Sequence, residues 1–208
     1  MTAAVPETTH LFITLLGSRR SAQHLQPGYF PVALFANLEE AASCVPSAFD
    51  TQPWHVVILH ERNREFWNCV TKIIAERLVG ERRDRYLART ENLRHGGLTL
   101  LIFEDLARAA PRDGVTPEDA RDFAIQALGM LQIVLWLTLS SYGLSASPHH
   151  WNWLLEDVAC SFAGLTDDRF RLVAIMPVGT AVYPPTPRTP GVSRISRERV
   201  DPDMIEHR

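Results

Sequence analysis

The strongest constraint on this sequence is a long apolar helix predicted in its second half. Residues 117–142 would form a helix about 39 Å long at 1.5 Å per residue. Thr116 is a good N-cap, Pro117 suits the first helical position, and Gly143 provides a C-terminal stop. The apolar run carries two glutamines and is shorter than the roughly 20 residues of a membrane span, so no membrane association is predicted.

A helix that is apolar on nearly every face must be buried all round. A chain of 208 residues struggles to surround such a helix alone. The sequence therefore predicts a homodimer with this helix at the interface.

Charge and cysteine usage exclude several classes of protein. The 21 basic residues are outnumbered by 24 acidic ones, so the net charge of −3 argues against a nucleic-acid-binding protein. Cys44, Cys69 and Cys160 are too few and too scattered for a disulfide framework or a metal site. Their use as small buried hydrophobes in a reducing compartment, and the absence of a signal peptide, predict a cytoplasmic protein.

Periodicity and turn residues predict a single α+β domain spanning residues 1–208. Helices are expected at 11–16, 32–44 and 65–93, in addition to the long one, and strands at 53–59, 98–103, 144–147 and 170–176. The expected architecture is a central mixed or antiparallel sheet surrounded by helices, with residues 11–183 as its core. Prolines after Val182 exclude helix and central strand, so residues 184–208 are predicted to be an extended arm.

The common catalytic signatures are missing. The sequence contains no GxGxxG, GxxxxGK[ST], HExxH or GxSxG motif. His149 and His150 are adjacent, but no cysteine or carboxylate follows them at ligand spacing. No metal site is predicted, and packing or hydrogen bonding within a ligand pocket is the expected role of this pair.

Two polar segments suit an anionic, hydroxyl-rich ligand. Ser18, Arg19, Arg20 and Ser21 follow a short helix, and two guanidinium groups beside two hydroxyls suit a phosphate monoester. The alternative is a solvated helix end. The second segment, PSAFDTQPW at residues 46–54, places polar side chains on a loop before a strand. There the alternative is a turn held by local side-chain bonds to the backbone.

Five segments, in this order, carry a family resemblance. They are RRS at 19–21, PSAFDTQ at 46–52, GLTLLIFED at 97–105, GLSASPHHWN at 143–152 and MPVGTA at 176–181. The chain resembles FMN-dependent nitroreductases from about residue 18 to residue 200. It is most similar to the compact bacterial and fungal subgroup related to the fatty-acid-repression proteins.

The resemblance implies a nitroreductase-like fold that dimerises through long central helices, with two FMN sites at the interface. It places Arg19, Arg20 and Ser21 at the flavin phosphate and ribityl chain. The 46–52 loop of the second subunit would surround the ribityl chain and the ring, and the segment beginning at residue 144 would lie beside the isoalloxazine. The C-terminal arm would return Arg199 to the phosphate. The remaining implied flavin contacts are Pro46, Ser47, Asp50, Gln52, Leu144, Ser145, Ala146 and Ser147.

Three positions depart from the family pattern. Asp50 stands where the family has Asn, and an ionised carboxylate there would disfavour the anionic hydroquinone unless it is protonated or paired. Pro148 removes a backbone donor beside the expected ring site. His149 replaces a glutamine; it or His150 is a candidate proton donor, with a packing histidine as the alternative.

The implied activity is transfer of hydride and electrons from NADH or NADPH, through FMN, to nitroaromatic, quinone or similar small acceptors. The flavin carries this chemistry, so no catalytic side chain is required. Trp54, Trp151 and Trp153 are candidates to line the substrate cleft, with core packing as the alternative. Two other functions remain open: an FMN-dependent oxidase or dehydrogenase of a small metabolite or peptide, and a flavin-binding regulatory or scaffold protein without turnover.

Overall fold

In the part of the chain that the structure describes there are five strands and six helices, and all five strands join one antiparallel sheet. The computed structural model describes residues 6–165 and 168–183. In chain order the elements are α1 (Glu7–Ser18), β1 (Leu25–Gln26), α2 (Val32–Ser43), β2 (Trp54–Leu59), α3 (Asn63–Arg77), α4 (Gly80–Leu93), β3 (Leu98–Asp105), α5 (Pro117–Ser141), β4 (Ser145–Ala146), α6 (Asn152–Ala163) and β5 (Phe170–Ala181). A 3₁₀ turn, Ala48–Asp50, precedes β2. The predicted α+β class and antiparallel sheet are confirmed.

Strand β3 is the centre of the sheet. The strand order is β1-β5-β3-β2, and β4 also pairs with β5. All eight residues of β3 are buried because strands flank both its edges and helices cover both its faces. Strand β2 pairs with β3 from Trp54↔Glu104 to Leu59↔Thr99. No other strand within 6–165 or 168–183 pairs with β2, so β2 forms one edge of this sheet.

The two faces of the sheet carry separate hydrophobic cores. Successive side chains of β3 point to opposite faces. Leu101 and Phe103 pack with Phe66 of α3 and Leu155 of α6. Leu100 and Ile102 lie in the second core, whose helical members are Leu34 and Leu38 of α2 and Leu128, Leu131, Leu135 and Leu139 of α5. The sheet is therefore sandwiched between two helical layers.

Helix α5 begins and ends where its capping residues predict. The Thr116 hydroxyl accepts a hydrogen bond from the Asp119 N–H at 3.1 Å, and Pro117 occupies the first turn. At the other end, the Leu144 N–H donates to the Leu139 carbonyl at 3.1 Å, while Gly143 has a φ of 71°. This is a Schellman cap, which favours glycine at the left-handed position.

A single chain buries α5 on only one face. Its buried stripe packs into the second core, whereas Ile125 is 51% exposed and Met130 is 37% exposed. In the described part of the chain, α5 is the one helix long and apolar enough to cross a membrane. Its charged first turn and its packing against the sheet are those of a core helix. The expectation of burial all round is thus not met within this chain.

Several boundaries differ from the prediction. The 65–93 helical region divides into α3 and α4, because Leu78 and Val79 adopt extended backbone between them. Leu78 is buried while Val79 is 81% exposed, so the break keeps one apolar side chain in the core. The 144–147 strand is reduced to β4, β5 extends to Ala181, and α6 and β1 were not predicted. The proposed arm, including Arg199, lies outside the described residues.

Candidate functional site

The structure brings together two segments that are far apart in sequence. Ser21 forms a parallel bridge with Ala146, and the Ala22 N–H donates to the Ala146 carbonyl at 3.3 Å. Helix α1 ends at Ser18, and Arg19 is extended, so the chain runs straight from the helix to this bridge. The predicted cationic segment and the predicted ring-contact segment are therefore neighbours.

The first arginine of this pair is positioned by α5. The Arg19 guanidinium lies over the Trp136 ring, 4.0 Å from the ring centroid, and the Arg19 backbone N–H donates to the Leu15 carbonyl at 3.1 Å. Arg20 is half-buried and Ser21 is exposed. The role of Trp136 could not be recognised from the sequence, because an aromatic residue in an apolar helix is most simply a core residue.

The backbone donors left near β4 are few. The Leu144 N–H is used by the cap of α5, and the His149 N–H donates to the Ile175 carbonyl at 2.8 Å. Pro148 has no N–H. Ser145 and Ala146 in turn pair with Gly179 and Val178 of β5, and Ala146 is also bridged to Ser21, so the sheet occupies backbone groups of this segment as well.

The two adjacent histidines have different surroundings. His149 is buried, its Nε2 lies 2.8 Å from the Ser147 hydroxyl, and its ring contacts that of Trp151 at 4.9 Å. Burial, followed by the positive charges of Arg89 and His150, lowers the pKa of His149 from 6.5 to about 4. His149 is therefore neutral at pH 7 and suited to packing and hydrogen bonding. His150 is exposed.

The 46–52 loop has strained backbone. Phe49, Asp50 and Gln52 have φ values of 55°, 52° and 42°. The left-handed conformation costs roughly 1–2 kcal/mol per non-glycine residue and persists only where the surroundings fix it. Here the Ser47 hydroxyl accepts from the Gln52 N–H at 2.8 Å, and the Gln52 side chain donates to the Ser43 carbonyl at 3.2 Å. Such strain clusters at binding sites.

A cleft lies between this loop, α2 and β2. It measures about 640 Å³, and Gln52, Trp54 and Val56 line it together with apolar residues of α2. Asp50 is exposed, as is Pro46 at the start of the loop. Trp54 thus lines a cleft, whereas Trp151 is buried in the first core and Trp153 is half exposed.

Within this chain, the predicted flavin contacts do not all lie close together. The ring of Phe49 in the 46–52 loop contacts that of Phe123 at 6.3 Å, whereas Arg19 contacts Trp136. Both partners are on α5, separated along the helix by about 20 Å at 1.5 Å per residue. Within residues 6–165 and 168–183, no group of three or more His, Cys, Asp or Glu side chains could hold a metal ion.

Comparisons with known proteins match the fold. The nitroreductase family model matches residues 16–180. The nitroreductase CinD from Lactococcus lactis, solved in complex with chloramphenicol, is 19% identical with a TM-score of 0.78, covering 90% of this chain and 100% of its own. The FMN-dependent nitroreductase NfnB from Mycobacterium smegmatis, in complex with NADPH, is 16% identical with a TM-score of 0.70, covering 92% and 100%.

A third solved structure is a nitroreductase with bound FMN from Desulfitobacterium hafniense. It is 16% identical with a TM-score of 0.69, covering 94% of this chain and 100% of its own. No curated protein matches the sequence. The solved structures establish the fold, and the family model covers well over half of the sequence. The chain therefore belongs to the nitroreductase family.

Proposed function

We propose that this protein is a homodimeric FMN-dependent oxidoreductase that passes electrons from NADH or NADPH to nitroaromatic, quinone or similar small acceptors. The observation that carries the proposal is the bridge between Ser21 and Ala146. It brings a pair of arginines beside the segment at 145–147, within the fold of the nitroreductase family. A cytoplasmic location is part of the proposal.

The donor set fits a flavin mononucleotide. A phosphate requires cations, which Arg19 and Arg20 supply at the end of α1. In this proposal the segment at 145–147, which the bridge to Ser21 holds beside the arginines, lies along one edge of the isoalloxazine ring. When bound, FMN supplies hydride chemistry that no side chain of this chain provides. The solved structures of NfnB with NADPH and of the D. hafniense protein with FMN support the same assignment.

The second subunit completes the site in this proposal. The 46–52 loop lies about 20 Å along α5 from the Arg19 contact, so a loop from another copy is needed at each flavin. Ser47, Asp50 and Gln52 would then face the ribityl chain and the ring. The exposed side of α5 provides an apolar surface for that contact.

Asp50 and His149, which depart from the family pattern, would modify the properties of this site but would not abolish it. Asp50 is exposed and acceptor-only when ionised, so it would disfavour added negative charge on a neighbouring ring. His149 is held neutral and hydrogen-bonded to Ser147, so it would position the segment beside the ring. The exposed His150 is then the better candidate to supply a proton to a reduced acceptor.

The test begins with the absorbance spectrum of the purified protein and a titration with FMN. We expect a flavin band that is bleached anaerobically by NADH or NADPH. Replacing both arginines, Arg19→Ala with Arg20→Ala, should weaken FMN binding at least about tenfold, because charge-assisted bonds to the phosphate are lost. Arg64→Ala, on α3, is the matched control and should bind FMN as the wild type does.

Four results would contradict the proposal. Protein that binds no FMN removes its basis, and unchanged affinity in the double variant refutes the phosphate assignment. Bound flavin that neither nicotinamide reduces would favour a non-catalytic flavoprotein. Peroxide formed from a metabolite without nicotinamide would favour an oxidase.

A further inference from the structure

A polar cavity lies at the end of the sheet where β2 leads into α3 and α4 leads into β3. Its volume is about 410 Å³, within the range of pockets that hold small ligands. We call it the α3–β3 cavity. None of its lining residues has an apolar side chain, and none is among the proposed flavin contacts. They are His60, Glu61, Asn63, Arg64, Asn68, Arg94, His95 and Gly97.

The most deeply buried side chain of the cavity is an amide whose orientation is fixed by its neighbours. Asn63 is only 3% exposed. The Trp67 indole N–H can only donate, and it donates to the Thr99 hydroxyl at 2.9 Å. The hydroxyl therefore gives its own proton to Asn63, whose Oδ1 accepts it at 2.6 Å. Because Oδ1 is engaged in this way, the Nδ2 amino group of Asn63 points away from Thr99.

This amino group is a donor that the protein leaves unused. It has no hydrogen-bond partner within the part of the chain that the structure describes. In that part, the Thr90 hydroxyl is the one side-chain group that is both fully buried and unpaired. The amino group of Asn63 is therefore not fully enclosed, and it opens into the cavity that Asn63 lines. An inward-facing donor without an acceptor favours a ligand that brings acceptor atoms.

Two guanidinium groups line the same cavity. The Arg64 side chain, on the first turn of α3, forms no hydrogen bond or ion pair with the described residues. Arg94, at the end of α4, is half-buried and pairs with Glu91 at 3.0 Å. The same carboxylate lies 3.2 Å from Nε2 of His95, so it orients two of the lining side chains. Glu91 compensates the charge of Arg94 and leaves that of Arg64 available to an anion.

The arrangement of these donors suits a phosphate better than a carboxylate. They come from three segments: the loop after β2, the first turns of α3 and the connection from α4 to β3. In the first of these, ring contacts with Phe30 at 5.6 Å and Phe35 at 6.1 Å hold His60 in place. One guanidinium satisfies the two oxygens of a carboxylate, whereas a phosphate monoester has three terminal oxygens and accepts from several directions.

We propose that the α3–β3 cavity binds a small sugar phosphate, whose phosphate group is held by Arg64, Arg94 and the amino group of Asn63. The rest of the ligand must be polar, because no apolar side chain lines the cavity. The Glu61 carboxylate and the Asn68 amide can accept hydrogen bonds from its hydroxyl groups. Glu61 is the one acidic lining residue, and it is exposed, so solvent screens its charge from the phosphate. This site is independent of the proposed flavin chemistry.

The experiment measures binding to the full chain, loaded with FMN, by titration calorimetry. Ribose 5-phosphate is the probe, and ribose and phenyl phosphate are the comparison ligands. Ribose 5-phosphate should bind at least about tenfold more tightly than ribose, which is the effect of one charge-assisted hydrogen bond. Phenyl phosphate should bind more weakly than ribose 5-phosphate, because its ring finds no apolar surface in the cavity.

Three variants locate the bound probe. Arg64→Ala should weaken the binding of ribose 5-phosphate about tenfold and leave that of ribose unchanged. Asn63→Asp keeps an acceptor for the Thr99 hydroxyl but replaces the amino group with a carboxylate oxygen, so it should weaken binding at least as much. Arg62→Ala is the matched control, since Arg62 precedes α3, pairs with Glu65 at 3.2 Å and does not line the cavity. Circular dichroism checks folding, and Arg64→Ala carries the test if Asn63→Asp is unfolded.

Several outcomes would overturn the inference. They are equal affinities for ribose 5-phosphate and ribose, equal affinities for ribose 5-phosphate and phenyl phosphate, and equal losses in Arg62→Ala and Arg64→Ala. The double variant Arg19→Ala with Arg20→Ala should still bind ribose 5-phosphate, and loss of binding there would place the probe at the proposed flavin site. A failure of the proposed function would appear separately, as protein without FMN, and the same titration of the double variant would then still test the cavity.

Discussion

The buried imidazole of His149 is coupled to the stability of the fold as well as to the site. The folded state binds its proton poorly, with a pKa of about 4, whereas an unfolded chain has the ordinary value of 6.5. As the pH falls below 6.5, the unfolded state takes up the proton first and is favoured. The effect is complete near pH 4, where both states are protonated.

We therefore expect the free energy of unfolding to fall by about 3 kcal/mol between pH 6.5 and pH 4 through this residue alone. His149→Gln keeps an acceptor for the Ser147 hydroxyl but does not titrate. Urea denaturation across this pH range should show a shallower decline for His149→Gln than for the wild type. His10→Gln, on the exposed surface of α1, is the control. Parallel curves for wild type and His149→Gln would contradict the prediction.

At the scale of elements, the backbones of β1 and β5 approach each other closely at Gly179. A Cβ at Gly179 would lie 2.5 Å from the Gln26 carbonyl oxygen and 2.6 Å from the Gly96 Cα. Both neighbours are backbone atoms and cannot move aside as a side chain would. The close approach of β1 and β5 therefore requires glycine at this position.

We expect Gly179→Ala to lower the free energy of unfolding by about 3 kcal/mol or more, since strands must separate to admit the methyl group. Gly143→Ala meets no atom within 4 Å and should cost only the roughly 1–2 kcal/mol of a left-handed residue. Comparing the urea unfolding midpoints of the two variants measures the difference in stability. Equal losses would show that space around Gly179 is not the limiting factor.

Elements with local signals were predictable, and those fixed by tertiary contacts were not. The capping residues of α5 and the apolar run of β3 are visible in the sequence, so both elements could be predicted from it. No side-chain cap marks the start of α6 at Asn152, and the break at Leu78 and Val79 is marked locally only by Gly80, which has a φ of 57°. Similarly, nothing local in the sequence indicates that Phe49 is left-handed, because only the packed loop imposes that conformation.

The candidate site was predictable in its parts but not in its assembly. The cationic segment and the segment around residue 146 were both identified from sequence through the family resemblance. Their pairing at Ser21 and Ala146 spans most of the chain, and Trp136, which positions Arg19, gave no signal. Arg199 stays a prediction.

At the scale of the whole molecule, the uncovered face of α5 governs association in the proposed dimer. Ile125→Glu places a charge on this face, so we expect weaker self-association and a parallel loss of FMN affinity. Val79→Glu, at an equally apolar but separate exposed position, is the control. Light scattering measures the mass in solution, and titration with FMN measures the affinity. An Ile125→Glu variant that keeps the wild-type mass and affinity would place the interface elsewhere.

The position of β2 at the edge of the sheet has a consequence for handling the protein. Its sequence, WHVVIL, combines β-branched residues with no acidic or basic charge beyond one histidine, and an edge strand offers unpaired backbone groups to other chains. Such a strand can pair with strands of other chains, and so promotes aggregation, whenever nothing covers it. Yield and shelf life should therefore depend on how well that edge is shielded during expression, more than on the melting temperature of the isolated fold.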